Sequence, residues 1–168
     1  MNDIQPEALI EQMARDLRAL IAERGLDDPV IAGVHTGGVW VAERLHRLLG
    51  ARERLSTLDI NFYRDDFSRI GLYPRVRPSA IHTDLTDRHV ILVDDVLHTG
   101  RTVCAALNEL FDYGRAAAVV LAVLIDRGGR EMPVCADVCG AAVTPEPGRQ
   151  IKLRGPDPLR VEMLSPKP

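Results

Sequence analysis

The sequence predicts an α/β fold: a single domain with a mostly parallel central sheet, flanked by helices and carrying an inserted flap. Three observations lead there. The runs 90–93 and 119–125 are apolar at every position, the pattern of strands covered on both faces of a parallel sheet. Val30–Val34 passes through a glycine-bearing turn into helical spacing, which is half of a βαβ unit. Residues 63–88 contain Asp65, Asp66, Gly71, Pro74 and Pro78 with little periodicity. Stretches of that length are uncommon in compact domains and are often functional loops.

Taken in order, Pro6–Arg24 places Leu9, Met13, Leu17, Leu20 and Ile21 on one helical stripe, with Pro6 suited to the first turn and Gly25 to the stop. Val30–Val34 is a short strand ending in His35-Thr36-Gly37-Gly38, and 39–49 returns to helical spacing through Val41, Leu45, Leu48 and Leu49. Residues 57–62 alternate as a strand through Leu58, Ile60 and Phe62, and 63–88 follow as a flexible flap or hood. Residues 90–93 form a buried strand, 102–113 a helix stopped by Gly114, and 119–125 a longer buried strand. Short strands are expected at 136–143 and 151–153. No repeat or linker divides the chain, so 1–168 reads as one domain.

Composition narrows the function. The chain has 168 residues, 46% of them hydrophobic and only 4% aromatic, so the core is built from Leu, Val, Ile and Ala. Its net charge of -3 argues against a protein that coats nucleic acid, since such domains are usually strongly basic. Lys152 and Lys167 are the only lysines among 21 basic residues, which excludes a phosphate loop ending in Lys-Ser/Thr. Cys104, Cys135 and Cys139 lack the spacing of a zinc site and cannot all pair. The acidic N-terminus does not read as a secretion signal, and no apolar run approaches the length of a membrane span. A cytoplasmic protein is expected.

The strongest chemical signal runs from Val90 to Thr102. Four apolar residues lead to Asp94 and Asp95, then Val96, Leu97, His98, Thr99, Gly100, Arg101 and Thr102 turn into a helix. Ligands of open α/β sheets bind at the carboxyl ends of strands. A Thr-Gly-x-Thr turn at a helix start supplies backbone N–H groups and hydroxyls to a phosphate. Two carboxylates beside an anion site suit a ligand that also presents neutral hydroxyls, because each can accept hydrogen bonds from a diol. A phosphorylated sugar meets both requirements.

This stretch resembles the signature of type I phosphoribosyltransferases, whose substrate is 5-phosphoribosyl-1-pyrophosphate (PRPP). The resemblance implies that Asp94 and Asp95 hold the ribose hydroxyls and that Val96 to Thr102 hold the 5′-phosphate. It implies a pyrophosphate loop at Thr36, Gly37 and Gly38. Tyr63-Arg64-Asp65-Asp66, the Val93 to Thr102 stretch and Leu121 to Gly128 together resemble the PyrR family, over most of the chain from about Val30 to about Leu153. That likeness implies transfer of phosphoribosyl from PRPP to uracil, giving UMP and pyrophosphate, with Mg²⁺ on the PRPP and no direct metal-binding side chain assigned. It also implies a pyrimidine-operon mRNA leader as regulatory partner, and a dimer or larger assembly. Arg64 is a candidate catalytic residue, Arg77 a candidate PRPP contact, and Asp126 and Arg127 candidates for the base pocket.

The chain departs from family members in ways that bear on function. Several carry Thr-Arg-Gly where this chain has Thr36-Gly37-Gly38, so the pyrophosphate is expected to depend on Mg²⁺ and backbone amides. Restoring arginine at 37 is expected to lower the apparent KM for PRPP if the loop tolerates a side chain. Cys135, Ala141 and Gly129 stand where RNA-binding members have Arg, Lys and His. Each lost cation removes a potential phosphate contact, so weak RNA binding is expected. Two alternatives remain at this stage: a UMP-sensing, mRNA-binding regulator with little catalysis, and a purine-specific phosphoribosyltransferase.

Overall fold

The computed structural model describes residues 4–60 and 79–165. Three helices, α1 (Pro6–Arg24), α2 (Gly37–Leu49) and α3 (Arg101–Phe111), surround a five-stranded sheet. Its strands are β1 (Val30–Val34), β2 (Ser56–Leu58), β3 (His89–Leu97), β4 (Ala118–Asp126) and β5 (Val138–Ala142). They lie in the order β2-β1-β3-β4-β5, and every neighbouring pair is parallel. Two further strands, β6 (Gln150–Arg154) and β7 (Arg160–Leu164), form a separate antiparallel hairpin.

Strand alternation divides the core between the two faces of the sheet. Ile91 and Val93 pack with α1, α2 and the hairpin residues Ile151, Leu153 and Leu159. Val90 and Leu92 pack with Val103, Ala106 and Leu110 of α3. This two-sided burial is why the central strands are apolar at every position. On α1 the fully buried residues are Ile10, Met13, Ala14 and Leu17, while Leu9, Leu20 and Ile21 are only partly covered. Gly25 closes α1 in the left-handed conformation at φ +61°.

Several elements differ from the sequence reading. The described part of β2 is shorter, Ser56–Leu58. The third strand does not end at Val93: Asp94, Val96 and Leu97 stay in register with Val123, Ile125 and Asp126 of β4, so the ladder carries the strand through the acids. Helix α3 stops at Phe111 and is followed by Asp112, so Gly114 lies beyond its end. Strand β7 was not anticipated, because nothing local marks Arg160–Leu164 until it pairs with β6. Residues 63–78, including Arg64, Arg77 and the Tyr63 to Asp66 motif, lie outside the described residues. The end of the expected flap is anchored: Ala80 bridges Thr57, and fully buried Leu85 donates its N–H to Tyr113 O at 2.9 Å. Among the described residues, no helix is long and apolar enough to cross a membrane.

Helix α2 is drawn tightly onto β1. A Cβ on Gly33 would stand 2.8 Å from Ala42 Cβ and 2.9 Å from Val39 Cα. Gly33→Ala is therefore expected to destabilise the protein by about 1–3 kcal/mol through overpacking. Urea denaturation measures it; an unchanged midpoint would mean that α2 can lift off β1 freely.

Candidate functional site

The carboxyl ends of β1 and β3 open into one cavity of about 660 Å³, within the roughly 300–1,000 Å³ usual for small-molecule sites. From β1 and α2 it is lined by Thr36, Gly37 and Trp40, and from β3 by Asp94 and Asp95. The end of β3 adds Val96 and Leu97, the turn into α3 adds His98, Thr99, Gly100 and Thr102, and Arg127 follows directly after β4. Residues 148–153 of the hairpin complete the wall. The sequence reading had placed both loops and the acids in one site, and the fold brings them together.

Continuation of β3 through Asp94 and Asp95 explains their precision. Asp94 is 3% exposed, and its Oδ1 accepts the Asp95 N–H at 2.9 Å. Asp95 Oδ1 accepts the Val96 N–H at 3.0 Å. Each carboxylate spends one oxygen on the backbone, which stiffens the pair before any ligand arrives.

The loop that follows is held from outside by residues 127–134. Arg127 N–H donates to Leu97 O at 3.0 Å, and Glu131 and Met132 N–H both donate to Thr99 O at 2.9 Å. Arg130 donates to His98 O at 2.8 Å and ion-pairs with Asp126. Gly100, at φ +90°, is the turn residue that precedes α3, and a Cβ there would meet Met132 Cβ at 3.1 Å. Neither N-cap residue, Thr36 or Gly100, makes a side-chain capping bond; at the start of α3 the Arg101 N–H donates to Thr99 Oγ1 at 3.3 Å. Helix starts of this kind favour anions.

Three sequence candidates do not line the cavity. Arg101 turns to Glu131, with Nε and Nη2 at 2.9 and 2.8 Å from its Oε2. Asp126 Oδ1 accepts the Gly128 N–H at 2.9 Å while its other oxygen pairs with Arg130. Burial pushes its carboxyl up, but the Arg130 and Gly128 hydrogen bonds and the Arg130 charge outweigh that and hold it below the ordinary value. Gly38 is the close-approach residue: a Cβ there would lie 2.7 Å from Val93 O and 2.9 Å from Asp94 Cα. Its role is to let the first loop touch β3.

Trp40, Arg149 and Lys152 were missed. The chain's single tryptophan and one of its two lysines were visible in composition, but only tertiary folding carries the hairpin over the sheet. That hairpin is pinned twice to α2. Arg44 Nη2 donates to Pro156 O at 2.9 Å, and Gly155 packs so closely that a Cβ would meet Trp40 Cε3 at 2.7 Å. Arg127 Nη2 ties it to β4 by donating to Arg149 O at 3.2 Å. Arg127 Nε is buried with no partner among the described residues.

The residues suit a metal carried by the ligand. Among the described residues, no group of three His, Cys, Asp or Glu could hold an ion. Mg²⁺ typically takes one or two carboxylates plus substrate phosphate oxygens, and Asp94 and Asp95 at the cavity wall fit that pattern.

The structure reverses the expectation for position 37. A Cβ on Gly37 would come within 2.6 Å of Asp95 Cγ and 3.0 Å of Asp95 Cβ, so any side chain there displaces the carboxylate. Gly37→Arg is expected to raise the apparent KM for PRPP by about tenfold, the value of one hydrogen bond to a charged group. Steady-state kinetics with PRPP varied decides it; a lowered KM would show that Asp95 moves aside without loss.

Comparison with known proteins places this geometry. Residues 5–143 match the family model described as the phosphoribosyl transferase domain. The chain is 53% identical to the "Bifunctional protein PyrR" of Pseudomonas paraeruginosa (strain DSM 24068 / PA7), over 96% of each chain. It is 52% identical to the protein of the same name from Nitrosococcus oceani, covering 95% of this chain and 94% of the relative. The hypoxanthine phosphoribosyltransferase of Trypanosoma cruzi superposes with a TM-score of 0.69 at 21% identity, covering 97% of this chain and 93% of that one, and shows the same fold. The chain belongs to the phosphoribosyl transferase family and, within it, to the PyrR family.

Proposed function

We propose that this chain is a uracil phosphoribosyltransferase of the PyrR type, converting PRPP and uracil to UMP and pyrophosphate. The observation that carries the reading is the single cavity lined at once by both loops, both carboxylates and the hairpin. A phosphorylated sugar needs the first three, and a flat base needs an enclosing wall.

In this reading Asp94 and Asp95 accept hydrogen bonds from the ribose hydroxyls, and the turn from Val96 to Thr102 binds the 5′-phosphate through N–H groups and the Thr99 and Thr102 hydroxyls. Thr36 and Gly37 receive the pyrophosphate, whose Mg²⁺ arrives with PRPP as part of the substrate. Arg127 Nε, buried without a partner among the described residues, donates to a carbonyl oxygen of the base. As the bond from C1 to pyrophosphate breaks, the base nitrogen N1 attacks from the opposite side, and its proton leaves to solvent or buffer. The protein contributes positioning and water exclusion. Arg101 and Asp126 act behind the site, Arg101 holding the loop after β3 to Glu131 and Asp126 holding Arg130.

A panel of uracil, adenine, guanine and hypoxanthine with PRPP, with and without chelator, is expected to show uracil turnover that requires Mg²⁺. Asp94→Asn and Asp95→Asn should each lower kcat/KM for PRPP by roughly 10- to 150-fold, the range for a hydrogen bond to a charged group. Wild-type kinetics in both variants would remove the ribose assignment, and preference for a purine would remove uracil.

The name shared by the relatives, "Bifunctional protein PyrR", favours a second activity, regulation through a pyrimidine-operon mRNA leader. Cys135 is exposed but carries no charge, and Arg24 is ion-paired with Asp137 at 2.9 Å. We expect weak leader binding with a shallow salt dependence. Equilibrium titration at several salt concentrations, with and without UMP, measures it; tight, UMP-enhanced and steeply salt-dependent binding would put regulation first.

A further inference from the structure

Among the described residues, three cationic ones line the cavity: Arg127, Arg149 and Lys152. Arg149 is committed to the protein, its Nε pairing with Glu146 Oε2 at 2.9 Å, whereas Arg127 gives its Nη2 to Arg149 O and keeps its Nε for one carbonyl oxygen of the base. The Lys152 side chain has no hydrogen bond or ion pair among the described residues. Glu162 lies opposite it in the hairpin register, but Glu162 Oε2 takes the Arg154 Nε–H at 2.8 Å.

Position narrows what Lys152 serves. It stands on β6, whereas both phosphate-binding loops and the carboxylate pair stand at the ends of β1 and β3. Those loops account for the phosphates and the acids for the sugar, so the remaining part of the ligand is the base. An ammonium has three donors and no acceptor. It satisfies an exocyclic carbonyl oxygen and cannot satisfy an exocyclic amino group. Building on the uracil reading, we propose that Lys152 determines base specificity by donating a hydrogen bond to a carbonyl oxygen of the base.

The test uses binding, so it is independent of turnover. Calorimetric titration of UMP, CMP and ribose 5-phosphate is compared for the wild type, Lys152→Met and Lys152→Gln. Lys152 is exposed, and thermal melting of the variants checks that they fold as the wild type does. Wild type is expected to bind UMP more tightly than CMP. Lys152→Met should weaken UMP about tenfold, leave ribose 5-phosphate unchanged and abolish the preference over CMP. Lys152→Gln, which keeps a donor, should recover part of the loss. Unchanged UMP affinity in Lys152→Met, or an equal loss for ribose 5-phosphate, overturns the proposal; the second result would assign Lys152 to the phosphate. If wild type binds ribose 5-phosphate but not UMP, the uracil reading fails by itself. GMP against AMP, carbonyl against amino, then puts the same question to Lys152, and equal responses of the two to Lys152→Met overturn it.

Discussion

The site depends on a backbone contact between the first loop and the central strand. Gly38 lies so close to β3 that a Cβ would press on Val93 O and Asp94 Cα, and Gly37 is similarly close to the Asp95 side chain. Only a pair of glycines allows α2 to begin there. The same pairing brings the expected pyrophosphate loop beside the two carboxylates, so one short constraint sets the distance between the first loop and Asp94 and Asp95. It also explains why a cation cannot be restored at position 37 without moving Asp95.

Around that contact the structure uses rigid supports. Strand β4 keeps β3 extended through its acids, and residues 127–134 hold the following loop by its carbonyls at Leu97, His98 and Thr99. Arg127 belongs to both systems, since its N–H supports the loop and its guanidinium reaches the hairpin. A change at the end of β4 is thereby transmitted to two walls of the cavity. Charged side chains that resemble ligand contacts in sequence, Arg101 and Asp126, are instead spent on these supports.

Local pattern made much of this legible. The all-apolar runs identified β3 and β4, helical spacing identified α1 and α2, and the acids with the Thr-Gly-x-Thr turn marked a stretch that lines the cavity. Failures came where long-range pairing decides. The acids of β3 read as a strand end, yet the ladder to β4 continues beneath them. The hairpin's segments are short and interrupted by Pro156 and Pro158, and only packing of Ile151, Leu153 and Leu159 onto the core fixes their place. Trp40 and Lys152 therefore could not be assigned to the cavity beforehand. Asp126 stands with Arg127 at the end of the last long apolar run, a place that suggests the base pocket, whereas Arg130, four residues on, claims its carboxylate.

The account's central claim is that one cavity holds a pyrimidine nucleotide in a defined orientation. A crystal structure of the UMP complex tests it most directly. We predict the 5′-phosphate within the turn from Val96 to Thr102, the ribose hydroxyls on Asp94 and Asp95, and the base beside Arg127 and the β6 wall. A nucleotide bound with its phosphate at Thr36 and Gly37, or with its ribose away from both carboxylates, would contradict the account.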